Sequence, residues 1–229
     1  MKFKKKLILT AIVSATLSIT FPANALTVLV EPFTGDATAT AISMDASNSA
    51  TARGGWLSGN IGGTATATAG GGSNSTASAT GGNVQGFSGN GTGGNASSTA
   101  NASSGGDAQA VISNAIAYGG GGGTSKGGSA TAGATGFAVG NSSVQVLATA
   151  LGGTGNGGGA ATLGTVFGQS VGGAVTVKGS LYGGDGNNIG GNGFSVTANN
   201  AVDGTTSGDL SLLIRPIEVL SGIFDPLIL

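Results

Sequence analysis

Small apolar side chains alternate with small hydroxyl side chains along much of this chain. The clearest run is residues 62–72, GGTATATAGGG, in which threonines and alanines alternate between glycines. A period of two predicts a β-strand with a threonine face and an alanine face. Burying one methyl group contributes about 0.8 kcal/mol, whereas ordering one backbone residue costs about 1–2 kcal/mol. Such a strand therefore needs similar strands stacked on it, which predicts a repeat architecture.

The same alternation recurs in looser form from about residue 37 to about residue 200. It predicts an all-β fold, a parallel β-solenoid of short, irregular rungs joined by glycine-rich turns. Residues 37–106 carry mostly Thr, Ala, Ser and Gly and form thin repeats, whereas residues 107–208 carry more Val, Leu, Ile and Phe. We expect the second half to hold the larger core and the more stable part of the fold.

The two ends of the chain differ from this repeat region. Residues 1–25 have a lysine-rich start, an apolar stretch and an A-x-A cleavage site at 23–25, which predicts a signal peptide and a mature chain that begins at Leu26. Secretion, or retention at the cell surface, follows from this prediction. Residues 26–36 are predicted to form a cap strand over the N-terminal end of the stack. Residues 209–229 are strongly apolar, but their charges and prolines oppose a membrane span, so an apolar C-terminal cap is predicted.

The composition narrows the chemistry of this chain. It contains neither histidine nor cysteine, which removes the commonest general base, the thiolate nucleophile and the usual zinc ligands. Removal of residues 1–25 leaves four basic and nine acidic residues, a net charge of −5, with no basic patch for nucleic acid. We therefore predict a non-enzymatic protein with no catalytic residues, no metal site, no cofactor and no nucleic-acid partner.

Stacked rungs would align their threonines in rows spaced about 4.7 Å apart. The predicted surface-binding residues are Thr38, Thr40, Thr64, Thr66 and Thr68. A further row would comprise Thr76, Ser78 and Thr80. These rows resemble the T-x-T face of β-solenoid ice-binding proteins, and the resemblance implies an ordered surface, ice above all, as the partner. Alternating threonine is also an ordinary choice for a solvent-facing strand, so that alternative stays open.

Two motifs, GGTATATAGGG at 62–72 and GGSATAGATG at 127–136, resemble the Gly/Ala/Thr-rich repeats of secreted bacterial β-solenoid proteins that are adhesin-like or surface-layer-like. The resemblance implies a structural or surface-adhesive protein that self-associates or binds cell-surface components. Two alternatives stay open: an ice-binding protein that uses a threonine-rich flat face, and a disordered glycine-rich matrix chain.

Overall fold

The computed structural model describes residues 7–9, 16–17, 25–56, 61–84, 91–104, 110–186, 196–199 and 201–217, and every regular element in them is a β-strand. One sheet, called sheet A, has the strand order β1 (Leu7–Leu9), β3 (Ala25–Val30), β5 (Ser47–Arg53), β7 (Asn74–Thr80), β9 (Val111–Tyr118), β11 (Val144–Leu151), β13 (Val175–Tyr182) and β16 (Leu210–Ile217). The other, sheet B, has the order β2 (Thr16–Leu17), β4 (Ala37–Ile42), β6 (Ala65–Gly70), β8 (Ala96–Ser104), β10 (Ala130–Ala138), β12 (Ala161–Gln169) and β14 (Val196–Thr197), and β15 (Val202–Thr205) also pairs with β12.

The chain coils between the two sheets. From β3 to β13, consecutive strands alternate between sheet A and sheet B, so each strand pairs in parallel with the next but one along the sequence. These coils form a parallel β-solenoid of about five turns. The all-β solenoid predicted from the alternation is thereby confirmed. The alternating stretch 96–104 coincides with β8, and the alternating stretch that begins at Ala37 forms β4.

Two short strands lie within the segment predicted to be the signal peptide. β1 pairs with Val28–Val30 of β3, and β2 pairs with Thr38 and Ala39 of β4. Each sheet is thus extended by one strand at the end where the coils begin.

The core consists of columns of inward-facing residues stacked from coil to coil. One column on sheet B runs through Ala41, Ala69, Ala100, Ala134 and Val166. Inward positions in the first half are mostly alanine, whereas β11 and β13 bring in fully buried valines. Where sheet A carries these valines, sheet B carries Gly136 and Gly168 directly opposite them. Large residues therefore face the smallest ones, and this pairing keeps the two sheets a similar distance apart along the stack.

A seam of glycines closes one edge of the solenoid. A glycine pair follows each strand of sheet A from β5 to β13, and a second pair lies just before β6, β8, β10 and β12. A single series of backbone hydrogen bonds, 2.7–3.2 Å long, crosses between these pairs. The series begins at Gly55, whose N–H donates to the carbonyl of Gly35. Each later member donates its N–H to the carbonyl of the member before it. The members are, in order, Gly55, Gly63, Gly82, Gly94, Gly120, Gly128, Gly153, Gly159 and Gly184. This glycine seam joins the two sheets through the backbone alone, at a separation that leaves no room for a Cβ atom.

Buried polar side chains join the sheets near the opposite edge. Asn48 on β5 is 1% exposed, and its Nδ2 donates to the carbonyl oxygens of Gly70 at 2.7 Å and Ser43 at 2.9 Å. Its Oδ1 accepts from the Ser43 hydroxyl at 2.6 Å. Two coils further on, the Ser113 hydroxyl donates to the carbonyl of Ala100 at 2.8 Å. These bonds give the buried amide and hydroxyl groups their partners and tie the two sheets together across the core.

Replacing Asn48 with alanine should lower the free energy of unfolding by about 1–3 kcal/mol, because it removes three hydrogen bonds made by a buried side chain, one of which joins the two sheets. Urea unfolding followed by circular dichroism measures the loss. Ser49→Ala is the matched control, since Ser49 is the next residue of β5 and faces outward, half-buried. Equal stability of the two variants would contradict a bridging role for Asn48.

Candidate functional site

Hydroxyl side chains form two columns on the outer face of sheet B. The first column contains Thr38, Thr66, Ser97, Thr131 and Thr162, which occupy equivalent positions of β4, β6, β8, β10 and β12. The second contains Thr40, Thr68 and Thr99 and continues to Gly133 on β10. The first column also continues to Thr197 of β14. We call the eight hydroxyl residues of these two columns on β4, β6, β8, β10 and β12 the hydroxyl face.

The alternation of each strand produces this face directly. Alanine at every second position points into the core and is fully buried, as Ala39 and Ala67 are, so the threonines between them point outward. Adjacent strands lie about 4.8 Å apart, and residues two apart on one strand lie about 6.6 Å apart. The hydroxyl groups thus repeat in two directions on a surface of short side chains.

The hydroxyl face carries no charge. None of the outward positions on β4, β6, β8, β10 and β12 is Asp, Glu, Lys or Arg. Binding at this face would therefore rest on hydrogen bonds and on contacts with the threonine methyl groups, without an ion pair or an attached counterion.

Four of the five predicted binding residues come together. Thr38 lies beside Thr66, and Thr40 lies beside Thr68, so they form a two-by-two block in the hydroxyl face. Thr64 is exposed but precedes β6, where its N–H donates to Oδ1 of Asp36 at 2.7 Å. Thr64 therefore lies at the margin of the face, beside an acidic side chain and outside the two threonine columns.

The further row expected at Thr76, Ser78 and Thr80 was wrong. These residues belong to β7, which pairs with β5 and β9 in sheet A. They lie on the other sheet from Thr66 and Thr68, because consecutive strands of the coil alternate between sheets. The residues that do extend the block are Ser97, Thr99, Thr131 and Thr162. The sequence signal for the first three was the alternation in ASSTANASS and GGSATAGATG, which form the next two strands of sheet B after β6.

Aromatic side chains mark one boundary of the hydroxyl face. Phe137 near the end of β10 and Phe167 near the end of β12 are diagonal neighbours, since Phe167 pairs with Thr135 and Phe137 with Gln169. Their ring centroids lie 5.6 Å apart, and Phe137 is 44% exposed. Beside Phe167, the Thr135 hydroxyl donates to Oδ1 of Asn101 at 2.7 Å. The uncharged surface is therefore polar near the glycine seam and aromatic toward the far edge in the later coils.

Sheet A presents a shallow groove of about 410 Å³ beside the glycine seam. Its walls include Tyr118, Leu151, Asn83 and Thr154 and several glycine backbones. Among the lining residues that the structure describes, none is Asp, Glu, Lys, Arg, His or Cys. Elsewhere in the described part of the chain, no three carboxylate, histidine or cysteine groups lie close enough together to hold a metal ion.

Comparisons of the chain with protein-family models, with curated proteins and with solved structures find no match. In the described residues, no helix is long and apolar enough to cross a membrane.

Proposed function

We propose that this chain is a secreted, non-enzymatic structural protein that adheres to an extended, ordered surface at the cell exterior through its hydroxyl face. The observation that carries the proposal is the in-register array of eight hydroxyl side chains on β4, β6, β8, β10 and β12, whose outward positions carry no charge. The leader-like residues 1–25 support secretion. The described residues form stacked coils, and this order argues against the alternative of a disordered matrix chain.

Threonine suits such a surface for a physical reason. One hydrogen bond contributes only about 0.5–1.5 kcal/mol net, so a flat contact needs many of them formed together. Threonine is β-branched and has few rotamers to lose, and the strand ladder already fixes its backbone. Because little conformational entropy remains to be lost, many weak contacts can add up to stable adhesion.

Ice is a second candidate surface. The two threonine columns repeat along the strands and across them, as in the T-x-T faces that they resemble, and a lattice with two repeat directions suits a crystalline ligand. The same array also suits an ordered polymer of the cell envelope. A binding experiment with each of the two surfaces distinguishes ice from such a polymer.

Replacing Thr66 with tyrosine should abolish adhesion, because Thr66 is exposed between Thr38 and Ser97 in its column, and a phenol ring there would hold a flat partner away from its neighbours. Retention of the labelled protein is measured on isolated cell envelopes and, separately, by partition into growing ice. The surface that retains the wild-type chain and loses the Thr66→Tyr chain identifies the partner.

The matched control is Thr176→Tyr, since Thr176 is an exposed threonine on β13, on the outer face of the other sheet. It should bind like the wild type. Equal retention of wild-type, Thr66→Tyr and Thr176→Tyr chains would refute the role of the hydroxyl face, and circular dichroism of each variant checks that the fold is intact.

A further inference from the structure

The last strand of sheet A leaves an apolar end. The inward residues Leu210, Leu212 and Ile214 of β16 are 46%, 45% and 42% exposed, whereas Val175 and Val177 at equivalent inward positions of β13 are buried. No strand in the described part of the chain pairs with the far side of β16.

The backbone of β16 is also open on that side. The N–H of Val175 on β13 donates to the carbonyl of Asp209 at 2.8 Å, and this bond shows which residues of β16 bond to β13 in the parallel pair. Odd-numbered residues of β16 therefore direct their polar groups toward β13, and even-numbered residues direct theirs away. The open edge of β16 thus carries apolar side chains together with unpaired N–H and C=O groups, from Leu210, Leu212 and Ile214. Such an edge can pair with another strand.

The opposite end of sheet A is covered by β1. Leu7–Leu9 pair in parallel with Val28–Val30, and the inward residues Leu26, Val28 and Val30 of β3 are at most 7% exposed. In sheet B, β2 covers β4 in the same way. Both covering strands lie in the segment that signal-peptide cleavage after Ala25 would remove.

We propose that the mature chain stacks head to tail, β16 of one copy pairing in parallel with β3 of the next, and that β1 and β2 block this contact until they are removed. The proposal rests on the cleavage contained in the proposed function. β1 serves as an internal precedent for the partner, because a short apolar strand, LIL, already pairs with β3 in parallel. β16 offers a strand of the same character, LSLLI.

The register of the existing ladder extends across this junction. One inward column of sheet A runs from Leu26 through Asn48, Ser75, Ser113, Val146 and Val177 to Leu212. Continuing it places Leu26 of the next copy on Leu212, and Val28 on Ile214. Glu31 of that copy, which forms an ion pair with Arg53 of its own chain at 2.6 Å, would then lie diagonally from Arg215, so that the register adds a second contact of opposite charge.

Sheet B continues in the same register. Val196 of β14 belongs to the column of Ala37, and Val202 of β15 belongs to the column of Ala41. Both ladders can therefore be joined by one parallel stacking of copies. Such a contact uses different surfaces on the two copies and repeats without closing, so its product is a filament.

Pro216 restricts the junction to a short ladder. It lies among the even-numbered residues of β16 that face the open edge, and it has no N–H to donate there. The hydrogen bonds of the junction on sheet A are thus confined to the region of Leu210–Ile214, and burial of the leucine and isoleucine side chains must supply much of its stability.

The test compares the chain that retains residues 1–25 with the processed chain recovered from the medium, at equal concentrations, by sedimentation velocity and negative-stain electron microscopy. The processed chain should form rods whose length rises with concentration, and the unprocessed chain should stay monomeric. N-terminal sequencing of the secreted chain separates the two hypotheses: an uncleaved chain refutes the cleavage after Ala25 on which the proposal rests, whereas a cleaved chain that remains monomeric refutes only the stacking.

Ile214→Lys in the processed chain should abolish the rods, since it places a charge in the buried column of the junction. Leu213→Lys is the matched control, because Leu213 is similarly exposed, at 40%, but lies on the outer face of the same strand, and it should still form rods. Equal assembly of the two variants overturns the proposal. Rods that appear only after deletion of residues 218–229 also overturn it, because that segment, and not a second copy, would then occupy the end.

Discussion

Replacing Gly120 with alanine is expected to disrupt the solenoid near its middle, although the change adds only one methyl group. The new Cβ would overlap the carbonyl oxygen of Gly82 and lie 2.7 Å from its carbonyl carbon and 2.8 Å from the carbonyl oxygen of Gly81. All three atoms belong to the backbone, so no side chain can turn away to make room. We expect a loss of more than about 4 kcal/mol, at the upper end of single-residue effects.

The hydrogen bonds of the seam explain why the backbone cannot move aside. The N–H of Gly120 donates to Gly94 at 2.8 Å, and its carbonyl accepts from Gly128 at 2.9 Å. A shift that relieves the clash with Gly82 would break both bonds in a buried position, where an unpaired backbone group costs about 1–3 kcal/mol. Because coils interact mainly with their neighbours, damage there should separate the stack into two parts that unfold at different urea concentrations.

Gly121→Ala is the neighbouring control. An added Cβ at Gly121 meets only side-chain atoms, the closest being Oδ1 of Asn83 at 3.4 Å, which is an ordinary contact. Urea unfolding followed by circular dichroism should show a nearly unchanged midpoint for Gly121→Ala and a large loss for Gly120→Ala. Similar midpoints for the two variants would mean that the glycine seam can widen and does not fix the coil.

The strands were predictable because the pattern that determines each of them lies within a single short segment. Alternation of alanine and threonine within one segment, such as β6, determines which side chains point inward, whatever the neighbouring strands are. The same reasoning could not assign strands to sheets. The segments that form β6 and β7 have nearly the same pattern, and both lie between glycines, yet they belong to different sheets.

The two segments differ in the structural role of the glycines that flank them, and this role cannot be read from the sequence. Gly81 and Gly82 pack against other glycine backbones in the seam, whereas Gly71 forms a turn with a φ of +94° between β6 and β7. Each coil therefore has two corners of different geometry, and the corner between β4 and β5 contains no glycine. The unequal lengths of the corners remove any fixed period from the sequence. This is why the rows of the hydroxyl face could be predicted one strand at a time, but not the choice between Ser97 and Thr76 as the neighbour of Thr66.

The pairing of valine with glycine across the core yields the second large effect. A Cβ added at Gly168 on β12 would lie 2.9 Å from Cγ1 of Val175 and 2.9 Å from Cγ2 of Val177, both on the facing sheet. Gly168→Ala should therefore cost about 1–3 kcal/mol through overpacking. Val177→Ala alone should cost about 2–3 kcal/mol, because it removes two buried methyl groups and leaves a void.

The double variant Gly168→Ala, Val177→Ala should cost less than the sum of the two changes, by about 1 kcal/mol or more, because the new methyl group occupies part of the void. Urea unfolding of the four chains of this cycle measures the coupling. Gly164→Ala, on the same strand with no atom closer than 3.7 Å to its added Cβ, should be close to neutral. Gly168→Ala combined with the distant Val28→Ala should be additive. If the costs of Gly168→Ala and Val177→Ala were also additive, the two sheets would be able to move apart to admit a methyl group. The glycine seam, and not the packing of valine against glycine, would then set the spacing between the sheets.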